Sequence, residues 1–443
     1  MNKTIIKTLI ENGFEAYYVG GCVRDELLGL SINDYDITTN ASPDEIEALF
    51  KGHSVDAVGK TFGVMIVDGV EVATYRTEKY DGPSKPTVSL ARTFYEDASR
   101  RDFTINAMAK TIDGEIIDYF GGQEDLRRKL IRAVGNPTTR FKEDPSRILR
   151  AMYLAARLGF QIEKSTFESI RQNVDLLRLV PHELTGKILM KVLKHRCLHQ
   201  FMVLLRETHT LKYVFPELHH TIDMPQNPKY HNADVYGHIL RVVKSAESKH
   251  PGDIVMAMAA VFHDCAKGLP GIRGTNKEGQ PNDIGHEEAG APIAQRVLIR
   301  LQFGKEIAKQ VAFIVRFHGI RLEESPKSST VKRVLKRMVP YFKDKKELIE
   351  GVIQLFDFMN CDAEGFAPSF GTEQKRINGS VRKHMMEVLD STIFYRSELP
   401  ITGRDLIEMG FQGKQVGEIL DYLVQENLQT KETIINRVMK KFA

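Results

Sequence analysis

One stretch near the start of the chain, residues 20–36, constrains the fold more than any other. It reads GGCVRDELLGLSINDYD and follows a short β-type run, residues 16–19. Gly20 and Gly21 break that strand, and because glycine allows close backbone approach, their N–H groups can meet an anion. Arg24 follows one short helical step later. The pattern predicts a strand–turn–helix unit that binds phosphate.

The next predicted strand carries two acidic residues, Asp34 and Asp36, with Tyr35 between them. Side chains two apart on a strand project from one face, so both carboxylates should point the same way. Such charges repel unless a cation lies between them, and oxygen ligands of this kind suit Mg²⁺. Glu71, on a later predicted strand, is either a third carboxylate at this site or an edge-strand glutamate in water. A phosphate-binding turn beside a Mg²⁺ site favours attack at a phosphoryl centre.

These two elements together, GG-x-V-RD followed by D-x-D, resemble the head of the polymerase-β-like nucleotidyltransferases. They are most similar to the class II branch, which contains the tRNA nucleotidyltransferases and the poly(A) polymerases. The resemblance implies that Gly20, Gly21 and Arg24 hold a nucleoside triphosphate. It also implies that Asp34 and Asp36, with Glu71 as a possible third carboxylate, are the catalytic residues and hold Mg²⁺.

Length, charge and cysteine content limit the class of protein. A chain of 443 residues is expected to hold two to four domains. The net charge of +4 is mild, so any nucleic-acid surface must be a local patch. The four cysteines have neither metal nor disulfide spacing. With no signal-peptide pattern and no apolar run long enough for a bilayer, these features predict a cytoplasmic protein that binds no membrane.

The rest of the predicted head alternates short strands and helices. Residues 62–67 and 70–75 form an apparent hairpin across an Asp-Gly dipeptide, which is typical of such turns. The polar stretch 79–92, with its glycine and prolines, is expected to be a mobile loop. Residues 116–118 and 131–134 are predicted to complete the sheet.

A basic run follows this loop. Arg100 and Arg101 precede Asp102, and Asn106 lies about one helical turn further on. Adjacent arginines are most often a solvated face, but beside a phosphate site they can neutralise a triphosphate, and Asp102 with Asn106 could grip a ribose hydroxyl. The segment is similar to the RRD motif of the same family. The resemblance implies that Arg101, Asp102 and Asn106 bind the sugar and phosphates of the nucleotide.

Residues 143–147, EDPSR, open a predicted helix. As structure alone, Asp144 would be a helix cap and Arg147 a solvent-facing partner. A sharper interpretation is base selection. Cytosine and adenine present an amino donor beside a ring-nitrogen acceptor, whereas guanine and uracil present the reverse. A carboxylate beside a guanidinium therefore accepts C and A and rejects G and U.

This stretch resembles the E-D-x-x-R template motif of CCA-adding enzymes, and the match continues through RAMYLAARLGF. The resemblance implies that Asp144 and Arg147 select the base without a nucleic-acid template. Glu143 would position Arg147, and Arg150 would also bind the nucleotide.

A second group of candidate site residues lies on the later predicted helices. It forms the ordered series His238, His263, Asp264, His286, His318 and Asp362. A single such histidine is more often a core residue than a ligand, but an ordered series is hard to obtain by chance. The series resembles the HD phosphohydrolase superfamily, which implies one or two divalent ions (Mn, Ni, Co, Fe or Mg) that activate water against a phosphoester. His231 competes with His238 for the first ligand position, and Asp357 competes with Asp362 for the last.

These resemblances imply an α+β chain in which a polymerase-β-like nucleotidyltransferase head, with a small mixed sheet, precedes all-α neck, HD and tail domains. The expected domains are the head (1–135), the neck with the base-selecting motif (136–225), the HD metal-binding domain (226–370) and a tRNA-binding tail (371–443). One face of a predicted helix is basic. Contact with tRNA phosphates and a solvated charged surface are equally good interpretations of this face. Its residues are Lys332, Arg333, Lys336 and Arg337.

The function implied is template-independent addition of C, C and A to the tRNA 3′ end, with tRNA, CTP and ATP as partners and no obligatory protein partner. Residues 59–63, GKTFG, carry only one basic residue, whereas the poly(A) polymerases resemble a pattern with two adjacent basic residues at this place. The sequence therefore disfavours a poly(A) polymerase. Enzymes that add only A or only CC are closer alternatives, and the long stretch 79–92 favours CCA or A addition. In a different class, the HD site does the main work as a phosphohydrolase and the head is a nucleotide sensor.

Overall fold

The computed structural model describes residues 2–32, 34–80, 82 and 86–442. The chain forms two compact units, Met1–Pro216 and Glu217–Ala443. The finer division into four domains stays a prediction. In the part of the chain that the structure describes, no helix has the length and apolar content needed to cross a membrane.

The first unit contains a seven-stranded mixed sheet. The strands of this unit, which also form two separate two-stranded sheets (β6 with β7 and β10 with β11), are β1 (Ala16–Val19), β2 (Asp36–Thr39), β3 (Val55–Asp56), β4 (Val64–Val67), β5 (Val70–Thr74), β6 (Arg76–Tyr80), β7 (Pro86–Leu90), β8 (Ala109–Lys110), β9 (Ile116–Ile117), β10 (Leu130–Ile131) and β11 (Gln161–Ile162). The order in the main sheet is β3-β4-β5-β2-β1-β8-β9, and β2 and β5 run parallel while the other neighbours are antiparallel. The hairpin of β4 and β5 turns at Asp68 and Gly69, which both have positive φ, as an Asp-Gly turn of the I′ type requires.

Helices cover this sheet and continue beyond it. They are α1 (Asn2–Glu11), α2 (Gly21–Leu27), α3 (Pro43–Leu49), α4 (Phe94–Ser99), α5 (Gly122–Arg128), α6 (Pro137–Glu143), α7 (Ser146–Leu158), α8 (Lys164–Gln172), α9 (His182–Lys194), α10 (Leu198–Glu207) and α11 (Leu211–Val214). Helix α7 is buried along nearly its whole length. It packs against α9 and α10 and therefore forms the core of the helical part of this unit.

Three local predictions for the head are wrong. Asp34 lies before β2, which begins at Asp36, so the two carboxylates do not share a strand. The stretch 79–92 is not simply a loop, because β6 and β7 pair from Arg76 with Leu90 to Tyr80 with Pro86; a proline is tolerated there as the first residue of a strand. The prediction for Pro83 lies outside the described residues.

The third error concerns residues 131–134, which do not complete the main sheet. Strand β10 instead pairs in parallel with β11. The chain that follows α7 runs alongside β10, and the backbone N–H groups of Gln161 and Glu163 donate to the carbonyls of Lys129 and Ile131. These hydrogen bonds pair β10 with β11 and leave it outside the main sheet. Hydrophobic residues in a two-residue strand do not specify which partner it takes.

The second unit is helical apart from a short hairpin. Its elements are α12 (Val235–Lys249), α13 (Ile254–Phe262), β12 (Arg273–Thr275), β13 (Pro281–Asp283), α14 (His286–Arg300), α15 (Lys305–Phe317), α16 (Ser328–Met338), α17 (Lys345–Ala363), α18 (Pro368–Ser391), α19 (Gly403–Glu408), α20 (Lys414–Glu426) and α21 (Lys431–Phe442). Helix α13 is apolar on every side and is the central helix, in contact with α12, α14, α15 and α17. The predicted α+β class, a small mixed sheet followed by helices, is confirmed.

Candidate functional site

The turn after β1 presents bare backbone to the predicted nucleotide site. Gly20 has a φ of 77°, which favours glycine, and α2 begins directly after it at Gly21. A Cβ atom at Gly20 would lie 3.4 Å from a guanidinium nitrogen of Arg101. A Cβ would thus make ordinary van der Waals contact with the arginine, and it is the positive φ that favours glycine at this position.

Arg24 is buried beneath this turn. Its guanidinium donates to Oδ1 of Asn106 at 2.6 Å and to Oδ1 of Asp25 at 2.8 Å. Arg157 donates to the other oxygen of Asp25 at 2.7 Å. Two residues predicted to bind nucleotide, Arg24 and Asn106, are thus joined directly, and the Asp25 carboxylate balances the buried charge.

Asp36 opens β2 and is a register partner of Glu71 on β5, so the two side chains project from the same face of the sheet. Burial raises the pKa of Asp36 to about 6, the negative charges of Glu71 and Asp34 add to this, and Arg101 opposes it. A carboxylate that is costly to ionise is what a cation would stabilise. Asp34 itself is exposed. Among the described residues, these three do not form a group whose ligand atoms all lie within 4.8 Å of one another.

Asp97 lies behind the basic run and binds both of its arginines. Its side chain is buried, with Oδ1 accepting from Arg100 at 2.7 Å and Oδ2 accepting from Arg101 at 2.8 Å. Burial alone would raise the pKa of Asp97, but the two guanidinium groups hold it below its ordinary value. One buried carboxylate thus orients two cationic side chains.

Arg150 connects two other predicted site residues. Its guanidinium donates to Oδ2 of Asp144 at 3.0 Å and lies 3.5 Å from Oδ2 of Asp102. Asp102 also accepts from Asn106 at 3.2 Å. Burial alone would raise the pKa of Asp102, but Arg150 and Asn106 bring it below its ordinary value.

Arg147 is only 4% exposed, so the alternative of a solvent-facing arginine is wrong. Its guanidinium donates to Glu143 at 2.8 Å, to the carbonyl of Arg140 at 3.1 Å and to the carbonyl of Arg100 at 2.9 Å. Its Nε finds no hydrogen-bond partner among the described residues. Asp144 does cap a helix, since its Oδ1 accepts from the backbone of Ser146 at 2.9 Å.

Most of the predicted site residues surround one open cavity of about 730 Å³. Every residue predicted to bind nucleotide lines it except Glu143, which lies behind Arg147. Asp36 also lines the cavity, whereas Asp34 and Glu71 are not among the described residues of its wall. The structure therefore brings the predicted phosphate-binding turn, one of the predicted catalytic carboxylates and the predicted base-selecting pair to a single space.

The sequence interpretation missed three residues of this wall, Arg76, Glu78 and Tyr80 on β6. Glu78 accepts from Arg100 at 2.8 Å and from the Tyr80 hydroxyl at 2.6 Å. Their i, i+2, i+4 spacing places all three on one face of a strand. This alternating spacing is the sequence signal that could have identified the three residues. They were not predicted, because the stretch that follows was interpreted as a loop.

In the second unit, the six predicted metal ligands meet at one point. The Nε2 atoms of His238 and His263 lie 2.9 and 3.5 Å from Oδ1 of Asp362. The Nε2 atoms of His286 and His318 lie 3.2 and 3.8 Å from Oδ1 of Asp264. The ligand atoms form two groups, each spanning less than 4.8 Å. They are His238, His263 and Asp362, and Asp264, His286 and His318.

The histidine orientations suit metal binding. Nδ1 donates to a backbone carbonyl in His263, His286 and His318, at 3.0, 2.7 and 2.8 Å. Because a carbonyl can only accept, each neutral ring keeps its Nε2 lone pair for a ligand. Nε2 of His263 is buried without a hydrogen-bond partner among the described residues, and Oδ2 of Asp264 lies 3.3 Å from it and 2.7 Å from Nζ of Lys267. An unpartnered Nε2 beside a buried carboxylate fits a bound cation.

The two competing ligand assignments are resolved by position. Asp357 lies outside the cluster and accepts from Arg382 at 2.8 Å. His231 packs with its ring centroid 4.9 Å from that of His238, and burial lowers its pKa to about 3. His238 and Asp362 are therefore the members that the structure brings together with the other four.

Replacing Asp264 with asparagine is expected to weaken binding of Mn²⁺ to the metal-free protein by at least about 100-fold, because this carboxylate faces histidines of both groups. Calorimetric titration of metal measures the change. Asp357→Asn is the matched control and should bind Mn²⁺ as the wild type does. Equal affinities in Asp264→Asn and wild type would contradict the assignment.

Comparison with known proteins agrees with this geometry. Residues 16–132 match the family described as "Poly A polymerase head domain", residues 159–222 match "Probable RNA and SrmB-binding site of polymerase A", and residues 235–354 match "HD domain". A CCA-adding enzyme from Limosilactobacillus reuteri is 46% identical over 188 residues, 41% of this chain and 46% of the relative. One from Bacillus subtilis is 43% identical over 210 residues, 46% of this chain and 52% of the relative. The chain spans about half the length of the curated relatives that it matches.

Solved structures extend the similarity of fold along the chain. The CCA-adding enzyme of Bacillus stearothermophilus in complex with CTP has a TM-score of 0.68 at 24% identity, over 99% of this chain and 97% of that one. The Thermotoga maritima CCA-adding enzyme complexed with tRNA has a TM-score of 0.57 at 20% identity, over 100% and 94%. At such identities the likeness concerns the fold. The chain is therefore similar, segment by segment and in this order, to a poly(A) polymerase head domain, an RNA-binding segment of polymerase A and an HD domain.

Proposed function

We propose that this protein adds C, C and A to the 3′ end of tRNA, using CTP and ATP and releasing pyrophosphate. The observation that carries the proposal is the single cavity shared by the glycine turn, Asp36 and the pair Asp144 and Arg147. The tRNA 3′-hydroxyl would attack the α-phosphorus of the nucleotide, and the bond to the departing pyrophosphate would break. The names of the similar proteins support tRNA as the acceptor.

The residues divide into three roles. The backbone at Gly20 and Gly21, with Arg24 and Arg101, would hold the triphosphate, since the start of a helix at Gly21 and guanidinium forks suit phosphate oxygens. The Gly20 N–H itself donates to the carbonyl of Met108 at 3.2 Å. Asp102 and Asn106 would bind the sugar. Asp36, with Asp34 and Glu71, would hold Mg²⁺, which would activate the hydroxyl and offset the charge on pyrophosphate.

Base selection would fall to Asp144 and Arg147. The Nε of Arg147 is buried and unpartnered among the described residues, so it would gain a partner if a base packed against the guanidinium, and the carboxylate of Asp144 has lone pairs beyond those used by Ser146 and Arg150. A donor on Arg147 beside an acceptor on Asp144 would match the ring-nitrogen acceptor and the amino donor that C and A present. Glu143, which accepts from Arg147 at 2.8 Å, would fix the angle of the guanidinium.

Replacing Asp97 with asparagine is expected to raise KM for CTP and ATP by about 10- to 100-fold, because each arginine loses a charged hydrogen bond and an amide NH₂ then faces a guanidinium. Steady-state kinetics measures the change, with KM for tRNA altered less than KM for nucleotide. Asp113→Asn, an exposed aspartate in a turn of the same unit, is the control. An unchanged KM for nucleotide in Asp97→Asn would contradict this positioning role.

The rival functions separate in one assay, in which labelled nucleotides are offered to tRNAs ending at the discriminator base, at C and at CC. Use of CTP on the first two and ATP on the third supports the proposal. ATP added only to the CC end indicates an A-adding enzyme, and CTP added without a final A indicates a CC-adding enzyme. Long A tails indicate a poly(A) polymerase. No transfer from a folded protein would refute the proposal.

A second function is favoured by the two ligand groups of the HD cluster, which fit one or two divalent ions (Mn, Ni, Co, Fe or Mg). We propose that this site hydrolyses phosphoesters. A chromogenic phosphomonoester or phosphodiester tests the proposal, and Asp264→Asn should abolish turnover while nucleotide transfer continues. The cysteines are buried and form no disulfide within the described part of the chain, which agrees with a cytoplasmic location, and we also propose that location.

A further inference from the structure

One buried carboxylate of the first unit, Asp25, has no role in the proposed chemistry. It follows Arg24 on α2 and is only 7% exposed. Its Oδ1 lies 2.8 Å from Nε and 2.7 Å from Nη2 of Arg24, and its Oδ2 accepts from Arg157 at 2.7 Å. Asp25 therefore joins an arginine of the phosphate-binding helix to an arginine of α7.

Arg157 lies in the last turn of α7, the helix whose first turn carries the predicted base-selecting Arg147. Arg150 and Arg157 are separated by about two helical turns and therefore share one face of α7. Nε of Arg150 lies 3.5 Å from Oδ2 of Asp102, in the same way that Arg157 meets Asp25. This face of α7 thus forms ion pairs with the head at two places, the predicted sugar-binding run and the phosphate-binding helix.

The contacts form a closed ring. Arg24 donates to Asn106 at 2.6 Å, and Asn106 donates to Asp102 at 3.2 Å. Asp102 pairs with Arg150 on α7, and the link from the last turn of that helix to Asp25 completes the path back to Arg24. Because hydrogen bonds between charged groups are short and directional, such a ring fixes the orientation of each member.

The ring leaves Arg24 able to bind an anion. Nη1 and Nη2 of a guanidinium each carry a pair of hydrogens. Asn106 engages Nη1 and Asp25 lies beside Nη2, so each terminal nitrogen keeps a hydrogen for a ligand. Arg24 also lines the nucleotide cavity. Since Arg24 and Arg157 share one carboxylate, the cluster keeps a positive charge that a phosphate would neutralise.

We infer that Asp25 and Arg157 are positioning residues, which hold the guanidinium of Arg24 toward the triphosphate of the incoming nucleotide. The inference rests on the proposed function, because it is the phosphates of CTP or ATP that Arg24 would bind. Neither Asp25 nor Arg157 is among the described residues of the cavity wall, so both act through Arg24. Helix α7 thereby sets the phosphate-binding arginine against Arg147, the base-selecting residue that the same helix carries.

Equilibrium binding of CTP, inorganic tripolyphosphate and CMP, each with Mg²⁺ present, tests the inference without relying on transfer to tRNA. Asp25→Asn and Arg157→Met are each expected to weaken binding of CTP and tripolyphosphate by about 5- to 50-fold, because a charged hydrogen bond that orients Arg24 is lost. CMP lacks the outer phosphates and should bind each variant as it binds the wild type. Arg127→Met, which removes an exposed ion pair with Glu124 in the same unit, is the matched control.

Two further variants separate a positioning role from general damage to the fold. The double variant Asp25→Asn, Arg157→Met should bind CTP no more weakly than Asp25→Asn alone, because Arg157 acts through the carboxylate. Arg157→Lys keeps the charge and should recover part of the affinity for CTP, and thermal unfolding shows that each variant is folded.

Unchanged affinity for CTP and tripolyphosphate in folded Arg157→Met would overturn the inference. Equal losses for CMP and CTP, or additive losses in the double variant, would also overturn it. The outcome is separate from that of the proposed function. A wild type that binds CTP but transfers no nucleotide to tRNA refutes the proposed function, whatever the variants show in binding.

Discussion

Replacing Asp36 with alanine is expected to lower the rate of nucleotide transfer by about 10³-fold or more, because a metal-binding carboxylate contributes several kcal/mol of transition-state stabilisation. Single-turnover incorporation of labelled CTP measures the effect. The fold should remain intact, since Asp36 lies at the first position of β2 and makes no buried ion pair among the described residues.

The stability of the same variant provides a sharp control. Burial and the charge of Glu71 raise the pKa of Asp36 to about 6, so at pH 8 the ionised carboxylate costs free energy in the metal-free protein. Asp36→Ala should therefore unfold at the same temperature as wild type or higher when metal is absent. It should also lose the stabilisation that Mg²⁺ and CTP give to the wild type. Substantial transfer by a folded Asp36→Ala variant would contradict the metal assignment.

Replacing Arg147 with alanine is expected to reduce the preference for CTP and ATP over GTP and UTP by about 5- to 150-fold, the range that one bidentate base contact provides. The structural reason is that Arg147 is fixed by Glu143 and by two backbone carbonyls with its Nε left unpartnered. Competition between labelled nucleotides on one tRNA measures the preference. Mg²⁺ binding at the head should change less than base choice does.

Arg147→Lys separates loss of shape from loss of charge. Lysine keeps the positive charge but lacks the planar fork, so it should rescue folding more than base choice. Because Arg147 is buried, thermal unfolding of each variant is needed beside the kinetics. Wild-type selectivity for C and A in a folded Arg147→Ala variant would refute the base-selecting role.

Much of the head was accessible from the sequence because its signals are local. A glycine with positive φ, an Asp-Gly hairpin and the acidic start of β2 are each encoded within a few residues. The order of histidines and aspartates likewise predicted the six members of the HD cluster. The sequence did not decide between His231 and His238 for the first ligand position, or between Asp357 and Asp362 for the last. That choice depends on which face of each helix points into the cluster.

The remaining features depend on long-range packing, which local patterns do not encode. Asp97 reads as an ordinary helix acid, yet tertiary contacts bury it between Arg100 and Arg101. Strand β10 is too short to choose its partner, and the pairing of β6 with β7 depends on the register between the two strands. Likewise, only the fold puts Arg157 beside Asp25.

The most direct test is to determine the sequence of tRNA 3′ ends after incubation with the purified protein, CTP, ATP and Mg²⁺, starting from tRNA that ends at the discriminator base. The account predicts products that end in C, CC and finally CCA, with no further extension, and no products from Asp36→Ala. Unextended ends from folded wild-type protein, or tails of A in place of CCA, would contradict it.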